Sequence, residues 1–442
     1  MARHERVVPL KRAGAGQAAA PLKIWFVPSN SSHVGKFRLL MQALRGRGDD
    51  VRLIDVDAAL PATLAARSQI EAAGFPHERM PASRFDPDAH WLRQIAQRRH
   101  LERSFTSVLE RIQADVLVFG FDSFVSGRTF VRVAKAMGFA TILIPDGLVV
   151  PGNDRYDPGF LAAARDALAD AWQRAFRAGG ARGLSGVDGI LVMNPMGRDT
   201  LIGLGVPAAN IHVVGSPEYD DLAARLRAAV DRDVVQIVRH RLGLSGERPV
   251  ILFAHQVLDG TEREMIRAMV MGVRRCGAVL LVKFHPRGRQ RPEEWRAWAD
   301  QEGFGSDDLR FASSECTSIE ALLVSSACVT AYSTVALEAF VCDRPLVLIH
   351  FANVPYDLPY GRKYGAAIDA HSPRELEAAL VAVLTDTETR RTLHAGRERA
   401  MDGELGGLDG RSAVRMIAAI DATRAAAGSG RSLIHRAGTE GK

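Results

Sequence analysis

Cysteine is scarce in these 442 residues, with four in all: Cys276, Cys316, Cys328 and Cys342. No two have the C-x-x-C spacing of a redox or zinc motif, and three sit in apolar surroundings. Buried, reduced thiols in a cytoplasmic protein are the expectation. Aromatic residues make up only 7% of the chain. No basic stripe interleaved with aromatics occurs, which argues against nucleic acid as a partner. No apolar run reaches the roughly 18–20 residues of a membrane span. The chain also has no HExxH, no D-x-D pair in a convincing loop, no G-x-x-x-x-G-K-[ST] phosphate loop and no G-x-S-x-G elbow. Zinc-peptidase, P-loop and serine-hydrolase chemistry therefore lack their motifs, and no metal or cofactor is expected.

What is present is an ordinary globular composition, 47% hydrophobic and 24% charged. The length exceeds one hydrophobic core, so two domains are expected. Lys and Arg number 57 against 51 Asp and Glu, a formal net charge of +6. That mild excess suits an anionic substrate or an anionic membrane surface. The first 21 residues carry Arg3, Arg6, Lys11 and Arg12 and lack the apolar h-region of a signal peptide. They read as a disordered basic arm, and weak attraction to anionic lipid would place the protein peripherally at the inner face of a membrane.

Apolar runs bounded by turn residues then alternate with helical patterns. LKIWFVP (Leu22–Pro28) reads as a strand and Val34–Leu44 as a helix, with Val34, Phe37, Leu40, Met41 and Leu44 on one face. VRLIDV is a second strand, and Ala58–Ile112 reads as mostly helical. ADVLVFG, ATILIP, GILVMN and IHVVGSPEYD are strands, with helices over Phe124–Met137 and Phe160–Ala178. A helix over Leu222–Leu242 bridges to a second alternating series. That series has strands RPVILFAH, VLLVKF, Leu309–Ala312, CVTAY and PLVLIHF, and helices that run on to Ala425. The pattern predicts two α/β halves with parallel sheets and the site in the cleft between them.

Two strand ends in the second half carry the chemistry. VLLVKFHPRG offers Lys283, His285 and Arg287, and CVTAYSTVALEA offers Ser333 and Thr334 at a helix start with Glu338 one turn on. Cations beside a helix N-terminus suit a phosphate or diphosphate. In the first half, His33, Asp122 and Asp146 fall at strand ends. Each residue also admits a plain structural role: Ser333 and Thr334 as helix caps, His33 as a solvated loop residue, His255 as a satisfied core histidine.

KFHP, YSTVALEA, DGRSAVRMIAAI and VVGSPEYDDL resemble marks of bacterial surface-polymer enzymes. These are the capsule polysaccharide transferases, the CDP-glycerol glycerophosphotransferase-like enzymes and, more distantly, the UDP-N-acetylglucosamine 2-epimerases. The resemblance implies a GT-B type α/β fold, two facing Rossmann-like domains with C-terminal helices crossing back to the N-terminal domain. It divides the chain into a basic arm over 1–21, an acceptor domain over 22–221, a linker helix over 222–247, a nucleotide-donor domain over 248–386, helices over 387–427 and a flexible tail over 428–442. It implies a metal-independent glycosyltransferase that uses a nucleotide-sugar donor and a glycan or lipid-linked acceptor in surface polysaccharide assembly. Lys283, His285, Arg287, Ser333 and Thr334 would bind donor phosphate and Glu338 the ribose. The base would be Asp146, with His33 and Asp122 as further candidates; related enzymes often have His-Gly where this chain has Asp146-Gly147. A non-hydrolysing 2-epimerase and a non-catalytic nucleotide-sugar-binding component of a capsule assembly complex are the alternatives.

Overall fold

Short runs in which every side chain is apolar cannot lie at a water-facing surface, and here they form the inner strands of two all-parallel sheets. The protein is described by a computed structural model covering residues 21–59, 66–83, 85–86, 90–120, 125–145, 148–149, 186–227, 232–244, 246–256, 261–285, 292–351 and 357–439. These fall into two compact units. One takes in the chain to Val149, the segment to Glu218 and the chain from Gly410; the other is Tyr219–Asp409.

The first unit holds β1 (Lys23–Val27), β2 (Asp50–Asp55), β3 (His77–Arg79), β4 (Val116–Phe119), β5 (Ala140–Leu143), β6 (Gly189–Val192) and β7 (Ile211–Val213). Their order is β3-β2-β1-β4-β5-β6-β7. β1 is central, with Ile24 opposite both Val51 and Val116. One face of the sheet is covered by the helix Ser31–Arg47, whose Phe37, Leu40, Met41 and Leu44 are buried against Phe26, as its apolar periodicity predicts. Asn30 caps that helix by accepting the His33 N–H, and Gly48, at φ 102°, ends it. The last helix, Ser412–Thr439, returns to the same face, where Met416, Ile417 and Ile420 join the core. The other face holds Leu101, Phe105 and Phe130 from the helices Trp91–Arg111 and Val125–Ala136.

The second unit holds β8 (Val250–Ala254), β9 (Val279–Lys283), β10 (Leu309–Phe311), β11 (Ala327–Thr330), β12 (Leu346–Ile349) and β13 (Ala367–Ala370), in the order β10-β9-β8-β11-β12-β13. The helices Glu262–Arg275 and Pro373–Thr385 pack together over one face, and Gly272 lets them close: a Cβ there would stand 3.2 Å from Leu380.

Several elements differ from expectation. The stretch expected to be mostly helical contains edge strand β3, a His-Glu-Arg triplet with no apolar residue to mark it. IHVVGSPEYD is not one strand: pairing stops at Val213, and Pro217 opens the helix Pro217–Arg227. The bridging helix is two helices, Pro217–Arg227 and Arg232–Arg241. The helix Pro195–Gly203, capped by Asn194, and strand β13 were not anticipated. The final helix runs to Thr439, through residues expected to be a flexible tail. Two interior glycines, Gly428 and Gly430, cost about 1 kcal/mol each relative to alanine, which an already formed helix can absorb. The helix expected over Phe160–Ala178 lies outside the described residues.

The four cysteines are unpaired, and burial raises the thiol pKa of Cys328 and pushes Cys342 up to about 12, which makes them inert. No helix among the described residues is long and apolar enough to cross a membrane.

Candidate functional site

In a parallel sheet, side chains just past the strand ends surround the point where successive connections leave in opposite directions. In the second unit that point is between β8 and β11, because β8 continues to β9 on one side and pairs with β11 on the other. A pocket of about 170 Å³ opens there. It is lined by His255 after β8, Lys283 and His285 at the end of β9, Ser318, and Ser333, Thr334 and Glu338 after β11. The volume is below the roughly 300 Å³ of pockets that enclose a whole ligand. It suits the compact anionic part of one.

The two strand ends are tied together beneath the pocket. Gln256, 7% exposed, accepts the Tyr332 N–H at 2.8 Å through Oε1. The Thr330 hydroxyl donates to Ala254 O at 3.1 Å and lies 3.4 Å from the same Oε1. These bonds hold β8 and β11 in register just where the pocket-lining residues begin. Ser333 Oγ accepts the Val335 N–H at 3.2 Å and Ser333 O accepts the Ala336 N–H at 3.1 Å, so Ser333 starts the helix Val335–Val341. The helix has seven residues, so the hydroxyls of Ser333 and Thr334 matter more here than a macrodipole.

His255 is the residue the sequence leaves evenly open, either a site residue at a strand end or a satisfied structural histidine. Its side chain is fully buried, packed edge-on against Phe253 at 5.5 Å and Phe284 at 5.1 Å. Among the described residues neither ring nitrogen has a hydrogen-bond partner, and Nε2 stands 4.0 Å from Glu262 Oε1. Burial, helped by the nearby His285, brings its pKa down to about 4, so the ring is neutral at physiological pH. Buried polar groups are almost always satisfied. A neutral imidazole lining a pocket with no acceptor for its N–H is poised for one supplied from outside. The available signal was its position directly after the all-apolar VILFA strand.

Five of the expected donor-site residues, Lys283, His285, Ser333, Thr334 and Glu338, thus line one pocket. Arg287 lies outside the described residues, as do Asp122 and Asp146. His33 belongs to the first unit, at the carboxyl end of β1, and is 1% exposed. Its Nδ1 accepts the Ser29 N–H at 3.0 Å, which fixes the proton on Nε2. Because its acceptor nitrogen is already engaged in its own turn, His33 is poorly placed to be a general base. Its ring also rests on Gly120: a Cβ there would come 2.2 Å from Nδ1. Gly120→Ala is therefore expected to push the imidazole out of the Ser29–Asn30 turn and destabilise the first unit by about 1–3 kcal/mol, measured as a lower urea midpoint with an unchanged m-value.

Comparison with known proteins agrees with this architecture. Residues 36–217 match the family model of the glycosyl transferase 4-like domain. The chain superposes on a Listeria monocytogenes protein described as a UDP-N-acetylglucosamine 2-epimerase (TM-score 0.62, 15% identity, 91% of this chain and 96% of that one). It also superposes on a glycosyltransferase from Rickettsia africae (TM-score 0.61, 10% identity, 91% and 99%). A third match is HepE from Anabaena, solved with UDP and glucose (TM-score 0.57, 13% identity, 90% and 98%). The fold is GT-B. At these identities the likeness shows the fold and leaves chemistry to the site. No curated protein matches the sequence. In the GT-B frame, the pocket at the β8–β11 switch point belongs to the C-terminal Rossmann-like unit, and the family-model match falls on the N-terminal one.

Proposed function

We propose that this GT-B protein is a metal-independent glycosyltransferase that takes a sugar from a nucleotide-activated donor, with UDP as the nucleotide, and passes it to a glycan or lipid-linked acceptor in surface polysaccharide assembly. One observation carries the reading: a single small pocket at a topological switch point gathers an ammonium, two imidazoles, three hydroxyls and a carboxylate. Lys283 supplies fixed positive charge to the donor phosphates. His255 and His285 supply N–H groups, and Ser333 and Thr334 supply hydroxyl donors. Glu338 accepts from the ribose hydroxyls, and Arg287 adds a second cation. HepE, a structural neighbour, was solved with UDP and glucose, which supports the choice of nucleotide.

In the reaction, the acceptor hydroxyl gives its proton to a carboxylate, for which Asp146 and then Asp122 are the proposed bases. The acceptor oxygen forms a bond to the anomeric carbon as the bond from that carbon to the diphosphate breaks. The leaving UDP carries away the bonding pair, and its growing charge is met by donors already in place. No metal is required by this scheme.

The second reading is a nucleotide-sugar 2-epimerase, favoured by the superposition over 91% of the chain on the Listeria protein. Incubating the protein with UDP-linked sugars in deuterated buffer containing EDTA separates the two. Acceptor-dependent release of UDP, with no deuterium at sugar C2, is expected. Deuterium entering C2 of UDP-N-acetylglucosamine without acceptor would replace the transferase reading with the epimerase one.

A further inference from the structure

Ser318 reaches the pocket by a different route from its other polar residues. His255, Lys283, His285, Ser333 and Thr334 stand at or just past the ends of β8, β9 and β11, whereas Ser318 opens the helix Ser318–Leu323, which joins β10 to β11. The Ala312 N–H donates to Val282 O at 2.9 Å, so the chain leaves β10 beside the Lys283 end of β9. The helix then packs against β8, β9 and the helix Val335–Val341. The face of β8 beneath it carries Leu252 and Ala254, because Ile251 and Phe253 belong to the core on the opposite face. Leu252 and Ala254 also line the pocket and offer a ligand no hydrogen bond. Ser318 therefore brings a hydroxyl to a part of the pocket whose strand residues are apolar.

The first turn of that helix is built without this hydroxyl. Thr317 is the cap: its Oγ accepts the Glu320 N–H at 3.1 Å, and Glu320 Oε2 accepts the Thr317 N–H at 2.8 Å. Glu320 Oε1 is held in turn by Arg241, on the helix Arg232–Arg241, at 2.8 Å. Both oxygens of the carboxylate are thus engaged, and the turn that carries Ser318 is fixed before any ligand arrives. A group held in place in advance binds without the entropy loss of being ordered. The helix has six residues, so what it offers a ligand is the side chain and not a macrodipole. Ser333 differs, since its Oγ also serves its own helix by accepting the Val335 N–H at 3.2 Å. A diphosphate drawn out of water needs donors for several oxygens, more than one wall of the pocket supplies.

We propose that Ser318 is a further donor-binding residue, giving its hydroxyl hydrogen to a phosphoryl oxygen of the nucleotide on the β9 side of the pocket, and that Glu320, clamped by Arg241, is the positioning residue that presents it. This rests on the reading of the pocket as a nucleotide-diphosphate site.

The experiment titrates UDP by calorimetry into the full chain, its Ser318→Ala, Ser318→Thr and Glu320→Ala variants and the double variant Ser318→Ala with Glu320→Ala. Lys283→Ala serves as the reference for the pocket. Ser318→Ala is expected to weaken UDP about tenfold, the scale of one hydrogen bond to a charged group, with the urea midpoint unchanged. Ser318→Thr keeps the hydroxyl and should keep most of the affinity. Glu320→Ala should weaken UDP about threefold by releasing the turn, and should add nothing once Ser318 is alanine. If Ser318→Ala binds UDP as the unaltered chain does while Lys283→Ala binds weakly, the role of Ser318 is overturned and the donor pocket stands. A loss that comes with a lower urea midpoint, or that Ser318→Thr fails to recover, would make the hydroxyl structural and overturn the proposal as well. Equal losses from Glu320→Ala with and without Ser318 would overturn its positioning role. Absence of UDP binding by the unaltered chain would overturn both this proposal and the donor reading.

Discussion

His255→Phe is expected to make the protein more stable and a poorer binder of nucleotide at the same time. The ring sits in an aromatic cluster with Phe253, Phe284 and Trp295, so phenylalanine fills the same space and opens no cavity. What disappears is a pair of buried nitrogens with no hydrogen-bond partner among the described residues. Such atoms cost about 1–3 kcal/mol, so a gain of about 1–2 kcal/mol should appear in urea unfolding at pH 7.5. The lost N–H to the donor phosphate should weaken UDP by about 10–100-fold, as expected for a hydrogen bond to a charged group.

The pH dependence has a definite sign. His255 has its folded pKa lowered to about 4 from an ordinary 6.5. Between those values the unfolded chain binds a proton that the folded one refuses, so stability is present above 6.5 and falls as pH drops towards 4. At about 1.4 kcal/mol per pH unit the full span approaches about 3 kcal/mol. The phenylalanine variant should lack that slope. His350 acts in the opposite direction: its hydrogen bonds to Asp369 and then Asp357, each 3.0 Å, raise its pKa despite burial. Its contribution is complete below 6.5 and is lost as pH rises through its raised value, so it cannot supply the acid loss. A phenylalanine variant that is less stable at neutral pH, or keeps the wild-type acid slope, would contradict this account of His255.

Gly396→Ala should cost more stability than any other single change considered, about 3–5 kcal/mol. The helix Thr387–Leu405 crosses the turn after the helix Tyr360–Tyr364 so closely that a Cβ on residue 396 would meet Gly365 O at 2.1 Å and its carbonyl carbon at 2.3 Å. Backbone cannot swing aside as a side chain can. The helix is also held just C-terminal to the contact. Arg399 donates to Tyr364 O at 2.7 Å, and the fully buried Glu404 accepts from Lys363 Nζ at 2.9 Å and from the Tyr364 hydroxyl. Sliding the helix to make room would break these bonds and leave a buried carboxylate without its cation. The check is a urea midpoint for the alanine variant. A loss under about 1 kcal/mol would show that this helix moves freely.

The sequence showed the sheets where strands are almost wholly apolar, as in LKIWFV, ADVLVFG, VILFA and VLLVK, because burial on both faces writes itself into composition. It hid β3 and β13, whose HER and AIDA lack that mark and take their structure from the neighbouring strand. The pocket-lining residues Lys283, His285, Ser333, Thr334 and Glu338 were legible because they stand at or just past strand ends, where a polar residue after an apolar run is conspicuous. His255 stands in such a place too, yet whether a buried histidine finds partners is decided by residues far away in the chain. The same limit applied to His33, whose acceptor nitrogen is consumed by Ser29 in a turn that only the folded backbone forms.

The most direct test of the donor pocket is calorimetric titration of UDP into the full chain and its Lys283→Ala variant at low ionic strength and pH 7.5. The pocket predicts one UDP per chain and a loss of about 10–100-fold on removing the ammonium, without change in the urea midpoint beyond about 0.5 kcal/mol. UDP that binds equally well to both proteins, or to neither, would contradict the assignment of this pocket to donor phosphate.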